Sequence, residues 1–415
     1  MASTDERDWF TECCASFDRD SRVAWVVPTF SRATGCSLSF LSRYTAKPAS
    51  LLDLNQNAGC GLFGHYPLEA TECVERYVEE RRPMRLPLAS CEQADALGEL
   101  LIRRAFPSTS ASSNDYSAID LALSLSLLSL PSPPPPALPL QLLLLHGSFH
   151  GNCTHAAFSS TSLFREQAHG SLLSEFEAVY LPPSSSEGEV EAAFSRHDAK
   201  QAICFAVLFE PLQHSSRFQP LPPPIAAALM REAQRRRIPC IADEIWSGLF
   251  RTGPFVRSTQ QEDLSPTPSN PLSSASLPNA PPSPSVAPTP QTCSLPSSHL
   301  SPDIIVLGKG LSFSLVKHSA LLVRKGLLPS NLPPPPSPPP CGLSCSLALS
   351  VLSAHPPHLI ALKAQEIKSQ LEEMARGSEA WLLPIRGGGF SYEFELRATA
   401  ESRQPACGTA IVTAM

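Results

Sequence analysis

Four runs along this chain are apolar at every position rather than alternately: residues 142–145, 202–209, 239–242 and 304–307. A strand with one wet face alternates apolar and polar residues. A strand apolar throughout is covered on both faces, as in parallel sheets flanked by helices. Between the second and third runs, 226–237 has helical spacing, so this stretch reads as strand, helix, strand with a crossover connection. Helical spacing also marks 68–80, 118–128 and 91–105, the last with Ala94, Leu97, Leu100, Leu101 and Ala105 on one face. A short strand is predicted over 51–54, before a turn through Gly64, His65, Tyr66 and Pro67. These elements predict an α/β fold around a mostly parallel sheet. Asp243 and Lys309 follow the third and fourth apolar runs, at the carboxyl ends of strands, where open α/β sheets bind ligands.

Composition adds one complication. The 415 residues include 44 prolines, crowded into 131–139, 254–302 and 329–340. Such Ser/Pro tracts bury too little apolar surface to offset chain entropy, so they read as insertions in a globular frame. The apolar stretches 121–130 and 138–145 are separated by one of these tracts, and each falls short of the roughly 20 residues that span a bilayer. A soluble protein is expected. The net charge of −6, without a long basic run, argues against a nucleic-acid or polybasic membrane partner. Thirteen cysteines form no CxxC pair, and His146, His150, Cys153 and His155 lack the paired spacing of structural zinc, so no metal is expected. Residues 1–20 are acidic, with neither an apolar core nor an Arg-rich pattern, which leaves a cytoplasmic or mitochondrial location as the expectation.

The candidate chemistry lies in Lys309, flanked by Gly308 and Gly310, and Asp243. Pyridoxal phosphate chemistry needs a lysine to condense with the cofactor aldehyde. It also needs a carboxylate to keep the pyridine nitrogen protonated, so that the ring accepts carbanion electrons. The segments Ile241-Ala242-Asp243-Glu244-Ile245-Trp246-Ser247-Gly248-Leu249-Phe250-Arg251-Thr252-Gly253 and Pro302-Asp303-Ile304-Ile305-Val306-Leu307-Gly308-Lys309-Gly310 resemble the signature of class III (subgroup II) pyridoxal-phosphate-dependent aminotransferases. His146-Gly147-Ser148-Phe149-His150-Gly151 resembles that family's aromatic-His-Gly element, and Glu210-Pro211-Leu212-Gln213 its Glu-Pro-hydrophobic-Gln segment. Pro384-Ile385-Arg386-Gly387-Gly388-Gly389-Phe390 resembles its Arg-Gly-x-Gly strand. The resemblance covers most of 50–396 outside the Pro-rich tracts.

The resemblance implies fold type I: an N-terminal segment over 1–50 and a large cofactor-binding domain over 51–328, with insertions at about 129–140 and 257–301. A Pro-rich linker over 329–340 and an incomplete small domain over 341–415 would follow. It implies pyridoxal 5′-phosphate as cofactor, with Lys309 and Asp243 catalytic, Phe149 and His150 at the ring and Gln213 at the phenolic oxygen. Ser117 and Ala118 would hold the phosphate at a helix N-terminus, and Glu210 would lie near substrate. It further implies a homodimer and ping-pong transamination from an ω-amino acid to a keto acid, with two alternatives. One is a diaminopelargonate aminotransferase; the other is a non-catalytic member of the fold. Three departures stand out. Asp115 replaces an expected glycine at the phosphate, His214-Ser215 replaces Gly-Glu, and Cys341-Gly342-Leu343-Ser344 replaces the Thr-x-x-Gly-Asn-Pro element.

Overall fold

The computed structural model describes residues 30–41, 48–53, 59–82, 92–105, 122, 126, 138–150, 176–216, 218–259, 300–313, 315–316, 318–327, 341–376, 385–394 and 410–412. Most of the expected 118–128 helix and most of the Pro/Ser tracts lie outside them.

An antiparallel sheet of β1 (Phe30–Thr34), β2 (Ser37–Leu41) and β3 (Pro48–Leu52) comes first. Helices α1 (Leu68–Glu79) and α2 (Glu92–Ala105) follow, where the spacing places them. The central sheet then begins with β4 (Leu140–Leu145) and β5 (Glu177–Leu181). Helix α3 (Glu187–Ala192) starts at a capping box, in which the Ser186 hydroxyl accepts from Glu189 N–H and the Glu189 carboxylate accepts from Ser186 N–H. The short α4 (Ser195–Asp198) leads into β6 (Ile203–Phe209), the two-residue strands β7 (Leu212–Gln213) and β8 (Gln219–Pro220), α5 (Pro223–Arg236) and β9 (Cys240–Asp243). After α5, Arg237 takes a left-handed φ of 58° that turns the chain into β9. Strands β10 (Ile304–Leu307) and β11 (Ala320–Val323) complete the sheet, in the order β11-β10-β9-β6-β4-β5. All neighbours are parallel except β10 with β11.

The unbroken apolar runs follow from burial on both faces. Leu143, Leu145, Val207 and Phe209 pack against α5 and α3 on one side. Leu142, Leu144, Ala206 and Leu208 pack on the other, with Ile241, Val306 and Leu321. Each strand therefore sends successive side chains into two different cores, and a polar residue at either parity would be stranded without water.

The core is not interrupted at the boundary expected at 341. Helix α6 (Gly342–Ala354) buries Cys345, Leu347, Ala348, Val351 and Leu352 in the same cluster as α1, α2, Leu249 and Phe313. Its 13 residues therefore share one core with α1 and α2. Arg104 of α2 ties down its far end, donating from Nη2 to the carbonyls of Leu352 and His355, while its guanidinium lies 5.7 Å from the Phe250 ring centroid. Arg104→Met keeps the stem and removes these charge-assisted bonds. The expected cost is about 1.5–3 kcal/mol in denaturant unfolding; a loss under about 0.5 kcal/mol would show that the cap is cosmetic. Helix α7 (Pro357–Arg376) follows, buried at Ile360 alone. Among the described residues no single helix is long and apolar enough to cross a membrane.

The glycine-rich run near 386 is a hairpin rather than one strand: β12 (Arg386–Gly388) pairs with β13 (Ser391–Phe394), which pairs with β14 (Ala410–Val412). Gly389 turns it with φ +61°, and a Cβ there would sit 2.3 Å from Gly253 N. Phe390 N–H donates to Arg251 O at 2.7 Å, docking the hairpin on the loop that follows β9.

Candidate active site

Because β9 and β10 are parallel neighbours with Val306 opposite Asp243, both strands deliver their last residues to one edge of the sheet. Asp243 is the final residue of β9, 3 % exposed. Its carboxylate accepts from His150 Nδ1 at 2.8 Å and from Ile245 N–H at 3.1 Å. His150, also 3 % exposed, arrives from the far end of β4, and its Nε2 is buried without a partner. A carboxylate only accepts, so this contact places a proton on Nδ1 of His150.

Lys309 follows β10 after Gly308 and opens a 3-10 turn, Lys309–Ser312. Its φ of 42° is left-handed, a conformation that costs a non-glycine residue about 1–3 kcal/mol and is tolerated where packing enforces it. The Nζ lies 3.9 Å from the Trp246 ring centroid. Burial, then the Arg251 guanidinium, lowers its pKa to about 8; Cys60, Asp243 and Glu210 oppose the shift. The flanking glycines admit protein rather than a ring. A Cβ at Gly308 would stand 3.3 Å from Ile245, and one at Gly310 would stand 3.2 Å from Leu249 and 3.4 Å from Leu62.

The chain after β6 supplies the next layer. Glu210, 2 % exposed, accepts from Phe149 N–H at 2.8 Å and lies 3.3 Å from His214 Nδ1, tying the loop after β4 to the turn after β7. Burial, then the Asp243 carboxylate, pushes Glu210 up to about 8, while His150 and Lys309 pull it back. His214 stacks on Trp246, with centroids 4.2 Å apart and planes 10° apart, and meets Phe149 edge-on at 5.8 Å. Burial, then Lys309, lowers His214 to about 3, so its ring is neutral at physiological pH. Gln213 Nε2 donates to His146 O at 2.7 Å and to Ser148 Oγ at 3.0 Å, leaving Oε1 buried and unpartnered. Ser216 Oγ donates to Gly147 O at 2.9 Å. Gly147 has φ +86°, and a Cβ there would sit 2.2 Å from Ser216 Oγ. Gly147→Ala is expected to cost about 1–3 kcal/mol in thermal unfolding and to loosen Gln213; an unchanged Tm would refute the close approach.

Of the residues singled out from sequence, Lys309, Asp243, His150, Phe149, Gln213 and Glu210 converge at the carboxyl ends of β4, β6, β9 and β10. Ser117, Ala118 and Asp115 lie outside the described residues. Sequence reasoning passed over Trp246 and Arg251. Arg251 is 1 % exposed and donates from Nη2 to Gly59 O, while Nε and Nη1 have no partner. Its guanidinium carbon is 5.3 Å from the Trp246 ring centroid, and burial lowers its pKa to about 10. The only local signal was a charged residue inside an otherwise apolar run, Leu249-Phe250-Arg251.

The lysine shift has a direct chemical readout. Below pH 8 the amine is mostly protonated and non-nucleophilic, and above it mostly free, whereas an ordinary lysine makes that change near 10.5. Borohydride trapping of an aldehyde on Lys309, followed by peptide mapping, is therefore expected to rise with a midpoint near pH 8. A midpoint shared with the surface lysines would remove the electrostatic argument.

No protein-family model matches the chain. Among curated proteins it is 25 % identical over 244 residues to acetylornithine aminotransferase of Rhodobacter capsulatus, covering 56 % of this chain and 57 % of that protein. The chain thus spans little more than half the length of that relative. Among solved structures, ornithine aminotransferase from Toxoplasma gondii shares 18 % identity with a TM-score of 0.64, covering 96 % of this chain and 83 % of that one. A Bacillus anthracis aminotransferase shares 16 % with a TM-score of 0.68, covering 98 % and 87 %. Adenosylmethionine-8-amino-7-oxononanoate aminotransferase from Methanocaldococcus jannaschii shares 16 % with a TM-score of 0.66, covering 96 % and 86 %. These structures establish the fold, type I with its mostly parallel α/β sheet. The chain therefore has the fold of these aminotransferase structures and, over 56 % of its length, is similar in sequence to an aminotransferase.

Proposed function

We propose that this protein is a pyridoxal-phosphate-dependent transaminase that carries an amino group from an ω-amino acid to a keto acid by a ping-pong reaction. The observation that carries this reading is the partly buried amine of Lys309, in electrostatic contact with the buried carboxylate of Asp243, on the ends of adjacent strands. The residues present fit the cofactor: His150 Nε2, Gln213 Oε1 and Trp246 Nε1 are buried polar atoms without partners, a pattern expected of a cluster that holds a polar ring ligand.

When bound, the cofactor supplies an aldehyde that condenses with amines and a ring that accepts the electrons left at the donor carbon. Lys309 then serves as the general acid and base, taking the proton from the donor carbon and returning it across the reacting system. A pKa near 8 suits both directions, because the amine accepts and releases protons at similar cost near neutral pH. Asp243 is assigned to the protonated pyridine nitrogen, with His150 and Ile245 N–H fixing its carboxylate. Phe149 is assigned to the ring face, its backbone held by Glu210, and Gln213 to the phenolic oxygen. Ser117 and Ala118 are assigned to the phosphate.

The relatives' names bear on the donor. One is named for acetylornithine and one for ornithine, which supports an amine at the far end of the donor. The structure named for 8-amino-7-oxononanoate keeps a diaminopelargonate reading as the second choice. A homodimer is proposed on the same grounds of kinship.

The test is the absorption spectrum of purified protein with pyridoxal phosphate. A band at roughly 410–430 nm that bleaches on adding ornithine or 4-aminobutyrate, and returns with 2-oxoglutarate, is the expected result. No band would end this reading in favour of a non-catalytic member of the fold.

A further inference from the structure

Trp246 and the stack it forms with His214 have no part in the chemistry assigned above. Trp246 lies just past β9, 5 % exposed, in a small cluster with Leu212 and Phe218. Phe218 meets it edge-on with centroids 6.2 Å apart, which holds the indole in one orientation. The His214 imidazole covers one face at 4.2 Å, its plane within 10° of parallel. Rings that close leave no room for an amine between them. Lys309 Nζ, 3.9 Å from the indole centroid, therefore lies over the opposite face. The Arg251 guanidinium carbon stands farther off, at 5.3 Å.

The face of an indole is electron-rich and attracts an ammonium, whereas a neutral amine gains little from it. A carboxylate in that place would also attract the charge, but it could take the proton as well. A ring holds the charged amine and leaves the proton on it. His214 suits the other face for a related reason: its ring is neutral at physiological pH, and an imidazolium there would compete with Lys309 for the indole. We propose that Trp246 is a positioning residue for Lys309, its second face holding the amine while that amine is an uncombined ammonium and letting it go once the proton leaves. The proposal rests on the transaminase reading for the step it serves, in which Lys309 carries a proton from one atom to another. An amine held together with its proton is ready to deliver it.

The experiment reads the amine itself and needs neither cofactor nor turnover, so its failure is distinct from failure of the transaminase reading. Full-length protein is treated with formaldehyde and cyanoborohydride from about pH 6 to about pH 10, and methylation of Lys309 is followed by peptide mapping. Only the neutral amine reacts, so the midpoint reports how firmly the ammonium is held. Singly and doubly fluorinated tryptophan, incorporated biosynthetically, drain charge from the ring face with almost no change of shape. Trp246→Phe and Trp246→Leu are measured beside them. Arg251, Cys60, Asp243, Glu210 and His214 also act around this amine, and all are kept in every protein compared. The midpoint is expected to fall below about 8 in steps as fluorine is added. It should fall by about one pH unit in Trp246→Leu, a tenfold weaker hold on the proton, and by less in Trp246→Phe. Fluorine in the Trp246→Phe protein, where only the other tryptophans carry it, should change nothing. A midpoint that ignores fluorine in the natural sequence overturns the proposal, even if Trp246→Leu shifts it, because packing is then all that the indole supplies. A midpoint that follows fluorine in Trp246→Phe overturns it too. The fluorinated proteins decide the matter by themselves should the leucine variant fail to fold.

Discussion

Lys309→Met is expected to eliminate the cofactor band and to lower kcat by roughly 10²–10⁴-fold or more, the range associated with losing a positioned acid–base group. The same substitution is expected to stabilise the fold near neutral pH. The sign follows from the shift. The native pKa, about 8, lies below the ordinary 10.5, so between those values the unfolded chain binds a proton that the native protein does not, and stability rises with pH across that window. Below pH 8 the burial penalty is felt in full, about 3 kcal/mol for a shift of this size. Methionine, similar in length and uncharged, removes it. Denaturant midpoints should therefore show the variant ahead of the natural protein at pH 7, with the gap closing by about pH 10. Activity lost with stability gained marks a residue kept for chemistry. A variant that is inactive and also less stable would make Lys309 a structural residue, and retained activity would displace it from the mechanism.

Asp243→Asn separates electrostatics from architecture. The carboxylate accepts two bonds, from His150 Nδ1 and from Ile245 N–H. An amide has one acceptor oxygen and can satisfy only one of these donors unless His150 changes tautomer, so a stability loss of about 1–3 kcal/mol is expected. Turnover should fall further, by roughly 10²–10³-fold, because no negative charge remains to hold the pyridine nitrogen protonated. Asp243→Ala removes the acceptor altogether and leaves the His150 Nδ1 and Ile245 N–H donors unpaired inside the protein, each costing about 1–3 kcal/mol. Steady-state kinetics and urea unfolding on both variants decide the matter. If Asp243→Asn keeps kcat within threefold, the pyridinium assignment fails, whatever the stability data show.

Much of this was legible along the chain because the relevant physics is local. Two-sided burial forbids polar residues at either parity of a strand, so the apolar runs at 202–209 and 304–307 announced β6, which starts one residue later, and β10. Helical spacing in 91–105 located α2 to within a residue of its start. The placement of Asp243 and Lys309 at the carboxyl ends of strands also came from order along the chain. What the glycines around Lys309 make room for was not legible: they admit Ile245, Leu249 and Leu62, a matter of packing between distant segments.

The amino-acid sequence by itself determined the parallel α/β frame, the presence of Asp243 and Lys309 after apolar strands, and the edge of the sheet at which they would meet. Tertiary structure alone decided that Val306 stands opposite Asp243, that His150 from β4 bonds the β9 carboxylate, and that Arg251 is enclosed against Gly59 and Trp246. It also decided that α6 joins the large core, on the far side of a proline tract that reads as a boundary. Periodicity and turn chemistry act over a few residues and leave marks in the sequence. Strand order, the partner of a buried charge and the lowered pKa of Lys309 arise from burial among distant segments, which no local pattern records.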